Sequence, residues 1–364
     1  MEFRRLDLFL ALGVTVACGG ETSSAQSDGS SGGASTTAAS QGSTTNPSSD
    51  SGNSAGSGSS TSAGSSTASG PTSAGTDTGA SGNCTVFPPD NPWNTDISGY
   101  PVHENSDAII ASIGADVGMH ADFGTVWDGA PIGIPWVDVA GDQSRVPVEF
   151  DYADESDPGP YPIPPDAPIE GGPDGGGDRH VIAFDRDNCV LYELFSAYPQ
   201  GGGSSWTAGS GAIFDLTSND LRPDGWTSAD AAGLPVFPGL VRYDEVVEQG
   251  QINHALRFTV ERSRNAYIPP ATHEAADDNS ADLPPMGLRL RMKADYDCSG
   301  LAQEIQVICT ALKTYGMFVA DNGTNWYLSG APDDRWNDDN LHDIDGITGS
   351  AFEVVYTGDP IVGN

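Results

Sequence analysis

From Glu21 to Asn83 the chain contains no Leu, Ile, Val, Met or aromatic residue and no Lys or Arg; it is Ser, Gly, Thr and Ala with a few other small or polar residues. Such a stretch buries nothing that could offset the entropy of ordering it, so it adds nothing to a folded core. A Gly/Ser-rich coil of this length spans roughly 45 Å root-mean-square. The composition predicts a disordered stalk over residues 19–83. Folding then falls to the 281 residues from Cys84 onward, which hold all seven Trp. That length fits one large domain or two intimately packed ones.

What precedes the stalk explains why a stalk would be useful. Arg4 and Arg5 form a basic start, Leu8 to Val16 an apolar run, and small residues follow, which is the layout of an export signal. The apolar run is under ten residues, well short of the roughly 20 needed to span a bilayer. Thr15-Val16-Ala17-Cys18-Gly19 resembles the lipobox of bacterial lipoproteins, departing from it at Thr15, where Leu is usual. The resemblance implies lipidation of Cys18 and an exported protein held at the cell surface or in the periplasm by its lipid anchor alone.

The whole chain carries a formal charge of −36, and from Cys84 onward 45 acidic residues face 13 basic ones. Such a field repels polyanions, which disfavours nucleic acid as a partner. Neutral or cationic substrates, or divalent cations, are easier to accept. Besides Cys18 there are four cysteines, and four in an exported domain suggest two disulfides. Of three connectivities, Cys84 with Cys189 and Cys298 with Cys309 is favoured, because the second pair brackets a short loop and the start of a helix. No Cys/His zinc spacing is present.

Short apolar segments broken by Gly and Pro predict strands around Trp136–Ala140, Val146–Tyr152, His180–Phe184, Val190–Phe195, Ile252–Val260, Leu288–Lys293, Met317–Asp321 and Trp326–Leu328. The clearest helix covers Leu301 to Tyr315, where Leu301, Ile305, Ile308, Leu312 and Tyr315 make one stripe and Gly316 offers a stop. A shorter helix is expected over Ser106 to Ile113. No βαβ rhythm appears. The expected fold is mainly β, an antiparallel sandwich or barrel with long loops and a few helices.

Five strings carry a family likeness: Asn91-Pro92-Trp93-Asn94, the run from Asp151 to Gly172, His254 to Thr259, Tyr315 to Gly323 and Ser329 to Asp338. They resemble a widespread set of uncharacterised secreted bacterial proteins. The likeness extends from about Phe87 to Val355, which implies a single acidic domain over residues 84–364 and carries no catalytic assignment.

Candidate chemistry therefore comes from pattern. His180 to Phe195 predicts a hairpin turning at Asp185 to Asn188, in which Phe184 faces Cys189 and His180 faces Glu193. Period-two alternation then puts His180, Ile182, Phe184, Leu191, Glu193 and Phe195 on one face. The same rule places His254 on an apolar face with Ile252, Leu256, Phe258 and Val260. Ionisable groups among apolar neighbours have shifted proton affinities, as acid and base catalysts do. Asp321 stands at a strand end, where site residues are common, although Asp-Asn-Gly is also a turn signal.

Trp127, Trp206, Trp226, Trp326 and Trp336 all sit among Gly, Ser, Asp or Asn, and about two of the five are expected to be exposed for stacking on sugars. The acidic runs at Asp333 to Asp339 and Asp185 to Asn188 offer oxygen ligands for a structural calcium ion but lack the EF-hand spacing. From Cys84 onward no GxSxG, P-loop or HExxH is present. The leading expectation is a surface-displayed glycoside hydrolase or polysaccharide lyase acting on a neutral or weakly charged glycan or cell-surface polymer. Glu193 would be the general acid with His180, His254 and Asp321 as partners, and Trp326, Trp336 and Arg257 would bind substrate. The alternatives are a metal-dependent β-barrel enzyme using His180, His254 and Glu193, and a lipoprotein that binds glycan or protein without catalysis.

Overall fold

Val181–Asp185 is a run of five buried residues, the pattern of a strand covered on both faces. It pairs antiparallel with Val190–Phe195 and parallel with Trp136–Val139, and Ser210–Asp215 completes a four-stranded sheet. Ile182, Phe184, Leu191, Ala212 and Phe214 belong to the main hydrophobic core. Val181, Ala183, Tyr192 and Leu194 join Tyr161, Ile163 and Trp206 in a second, smaller one. Period-two alternation thus sorts this sheet's side chains between two cores.

The register of the hairpin departs from the expected one by two residues. Phe184 lies opposite Leu191 and Ile182 opposite Glu193, so the turn is Arg186 to Cys189. Asp185 stays in the strand because its carboxylate accepts from the Asn188 backbone N–H at 2.9 Å and from Asn188 Nδ2 at 2.8 Å, an Asx closure that starts the turn one residue later. An even displacement leaves every side chain on its expected face. His180 precedes the first paired residue and does not lie opposite Glu193.

The second large sheet has six strands in the order His120–Asp122, Tyr327–Ser329, Leu256–Val260, Met317–Asn322, Arg289–Met292 and Phe352–Val354. Its pairs include both parallel and antiparallel neighbours. The expected mainly-β architecture is present, with mixed rather than purely antiparallel sheets, and among the described residues no sheet closes into a barrel. These features come from a computed structural model, which describes residues 84–363 apart from Asp128. The export signal, Cys18 and the stalk lie outside the described residues.

Helix Gln303–Thr314 follows from its stripe: Ile305, Ile308 and Leu312 are fully buried, while Leu301 and Tyr315 flank it half-buried. Gly316 ends it with φ +66°, and a Cβ there would lie 2.1 Å from the Leu290 carbonyl oxygen, so only glycine fits. Two disulfides join Cys84 to Cys189 and Cys298 to Cys309. The first ties the beginning of the described chain to the hairpin turn. No described helix is long and apolar enough to cross a membrane.

Candidate active site

Strand Leu256–Val260 buries Leu256, Phe258 and Val260 in the main core, so alternation turns Arg257 and Thr259 to the other face, where both line an open polar cleft of about 210 Å³. Arg257 is almost wholly buried. Its Nε donates to Asp230 Oδ2 at 3.2 Å and its Nη1 to Ser329 Oγ at 2.7 Å. Burial disfavours the guanidinium's charge, but Asp230 and then Asp321 outweigh it and raise its pKa further.

Asp321 reaches this face through a bulge. Phe258 pairs with Val319, and Thr259 then pairs with Asp321, passing over Ala320. Strict alternation would have kept Asp321 with Met317 and Val319 in the core; the extra residue re-aims it, as bulges beside functional sites do. Asp321 lines the cleft. Burial, and next the charge of Asp230, holds its carboxyl well above the usual range against the pull of Arg257.

A further wall comes from the loop that leads into strand Val181–Asp185 and contributes Glu170, Asp178 and His180. The His180 N–H donates to Glu170 Oε2 at 3.2 Å, and ring Nε2 lies 4.0 Å from the same oxygen. Burial pushes the His180 imidazole down to about 4, so it is neutral at pH 7. Burial and the neighbouring Asp178 push Glu170 up to about 8, so it keeps its proton there. Asp122, at the end of strand His120–Asp122, is also raised by burial, opposed by His120 and Arg257. Tyr327 supplies an aromatic ring at the cleft, tilted against His120 at 4.4 Å.

The structure therefore brings His180, Arg257 and Asp321 to one cleft and separates Glu193, His254, Trp326 and Trp336 from it. Glu193 is fully buried. Its Oε1 accepts from Val236 N at 3.0 Å and Phe237 N at 2.8 Å, and Oε2 from Val236 N at 2.9 Å. It anchors a turn from inside the core. His254 precedes its strand and forms a separate buried cluster, with Nε2 at 3.1 Å from Glu245 Oε2 and Nδ1 at 2.7 Å from the Ala255 carbonyl.

Trp326 stacks between Phe258 and Phe352 at 5.6 and 5.3 Å and donates to the Gly114 carbonyl. Trp336 packs on Phe123 and Tyr243 and donates to the Ala331 carbonyl. Neither can present a ring to a sugar. Of these five tryptophans only Trp127 is largely exposed, while Trp226 is half-buried.

His180, His254 and Glu193 do not converge, and among the described residues no group of three or more His, Cys, Asp or Glu side chains is arranged to hold a metal ion. Within the acidic runs Asp333 pairs with Arg335, Asp338 accepts from Thr125, and Asp185 accepts from Asn188.

Sequence reasoning missed Asp122, Glu170, Asp178, Asp230, Thr259 and Tyr327. A usable signal was the consecutive Asp178-Arg179-His180 entering an apolar strand, since three ionisable groups beside a buried segment need partners. The fold and site define a mainly-β domain with a carboxyl-lined cleft. Comparison with protein-family models, with curated proteins and with solved structures found no match.

Proposed function

We propose that the domain is a carbohydrate-active enzyme, a glycoside hydrolase acting on a neutral glycan or cell-surface polymer, with the cleft around Arg257 as its active site. The observation that carries this reading is the Glu170 carboxyl, which lines an open polar cleft beside Asp178 and which burial and that neighbour push up to about 8. Protonating a glycosidic oxygen at neutral pH requires such a donor. In this reading Glu170 gives its proton to the leaving oxygen and Asp178 takes one from the attacking water. Asp122, Asp321 and Thr259 bond sugar hydroxyls, and Tyr327 takes the stacking role expected of the tryptophans.

The lyase alternative is less well supported. A lyase must neutralise a uronate, and Arg257, the one fixed cation among the lining residues, is already held by Asp230. The net negative charge of the chain disfavours nucleic acid. The protein is proposed to be exported and anchored through lipidated Cys18, with the stalk carrying the domain away from the membrane.

The test is incubation of the full chain with a panel of neutral glycans, reading new reducing ends, unsaturated products and binding. Reducing ends that disappear in a folded Glu170→Gln variant with glycan binding retained are expected. Unsaturated products would make it a lyase, and binding without products a non-catalytic receptor. Turnover surviving in Glu170→Gln would remove the assignment.

A further inference from the structure

Residues 170–180 form a closed loop. Its ends are joined twice: the Glu170 N–H donates to the His180 carbonyl at 3.1 Å, and the His180 N–H donates back to Glu170 Oε2 at 3.2 Å. Gly171, Gly172 and Gly177 take φ values of +70°, +86° and +84°, a region that residues with a Cβ rarely enter. Glycines allow this path but do not hold it.

A guanidinium holds it. Arg179 is only 2% exposed, and its Nη1 donates to the carbonyls of Gly172 and Gly175, its Nη2 to that of Pro173 at 3.1 Å and its Nε to that of Ala197 at 3.2 Å. The Tyr198 ring covers the group with its centroid 4.4 Å from Cζ. Arg179 has φ +50°, which marks a backbone held in a sparsely populated region. Its neighbours Asp178 and His180 line the cleft and it does not. The loop cannot relax without stranding a buried cation whose bonds all go to the backbone.

We infer that Arg179 is a positioning residue: it fixes the 170–178 loop as a wall of the cleft and so holds the partly buried Glu170 carboxyl there. This rests on the reading of the cleft given above, but its test needs no turnover. Lysine cannot replace the fork of donors, because one ammonium cannot reach carbonyls on both sides of the loop.

The experiment is a titration of the Glu170 carboxyl by carbon NMR in the full chain labelled at glutamate carboxyls, with the signal assigned by its loss in Glu170→Gln. In wild type the midpoint is expected at about 8. In Arg179→Lys and Arg179→Gln, water entering the loosened loop should move it toward the ordinary 4.5. Ile305→Ala, a cavity in a helix that does not line the cleft, should lower the melting temperature without moving that midpoint. A folded Arg179 variant with an unchanged midpoint would overturn the inference.

Should neither Arg179 variant fold, hydrogen exchange of the wild type decides. The amides of Glu170 and Gly172, bonded to His180 O and Ile169 O, must then exchange as slowly as the sheet, and exchange at the rate of open chain overturns the claim. Failure of the hydrolase reading would appear in the glycan assay and leave the titration as it is.

Discussion

Arg257 Nε donates to Asp230 Oδ2 at 3.2 Å in a contact where the arginine side chain is 3% exposed and the aspartate side chain not at all. The pair sits beneath the cleft and sets its electrostatics: burial raises Asp230 to about 6 while Arg257 pulls it down, and the guanidinium is left with little net charge to offer a ligand. Removing one partner of such a pair leaves an uncompensated buried charge, at a cost of about 3–5 kcal/mol. Arg257→Met and Asp230→Asn should each lose about that much by urea unfolding. The double variant should lose less than the two together; strict additivity would show that the two groups do not depend on each other.

Glu193 provides a contrast. Its carboxylate accepts from two backbone amides in the core, and Gln would turn one oxygen into a donor facing donors. Glu193→Gln should cost about 1–3 kcal/mol of stability. Turnover per folded molecule, measured on whatever glycan the wild type cleaves, should be unchanged; a folded variant without activity would return Glu193 to the mechanism.

The proton on Glu170 has a stability signature. The native state holds it to about 8 and the unfolded chain releases it near 4.5, so between those values the native state binds more protons and stability falls as pH rises. The contribution is complete below the unfolded value and lost as pH passes about 8. Urea midpoints taken across this window should decline more steeply in wild type than in Glu170→Gln, and parallel profiles would argue against the shift. Turnover should fade over the upper end of the same window as the acid loses its proton.

Location is tested at the other end of the chain. If Cys18 is lipidated, Cys18→Ser should move the protein from the membrane fraction into soluble extract or medium, because the stalk offers no second apolar anchor. A protease of broad specificity should cut between Glu21 and Asn83 and leave a resistant core starting near Cys84. Trypsin cannot make this cut, since the segment has no Lys or Arg. Retention of the Cys18 variant in membranes would count against the anchor.

Much of the architecture was legible in the residues themselves. The alternation through Val181–Asp185 and Val190–Phe195 assigned each side chain its face, and the stripe of Ile305, Ile308 and Leu312 defined a helix. Both are periodicities of the local backbone, and a linear chain displays them directly. The site was legible only in part: His180, Arg257 and Asp321 were singled out, yet His180 and Glu193 looked equivalent, two ionisable groups on one apolar face.

What separates them is contact with distant parts of the chain. The amides of Val236 and Phe237 close over Glu193 and satisfy it within the core, whereas the loop of Glu170 and Asp178 leaves His180 at a cleft. Asp321 reaches that cleft because a bulge between neighbouring strands overrides its alternation. Trp326 stands among polar neighbours in sequence and between Phe258 and Phe352 in space. Composition and period determined which residues could be buried and on which face, because those depend on nearest neighbours along the chain. Which buried polar groups are capped and which open onto a cleft was decided by tertiary contacts, because hydrogen-bond partners and bulges come from segments that only the folded chain brings together.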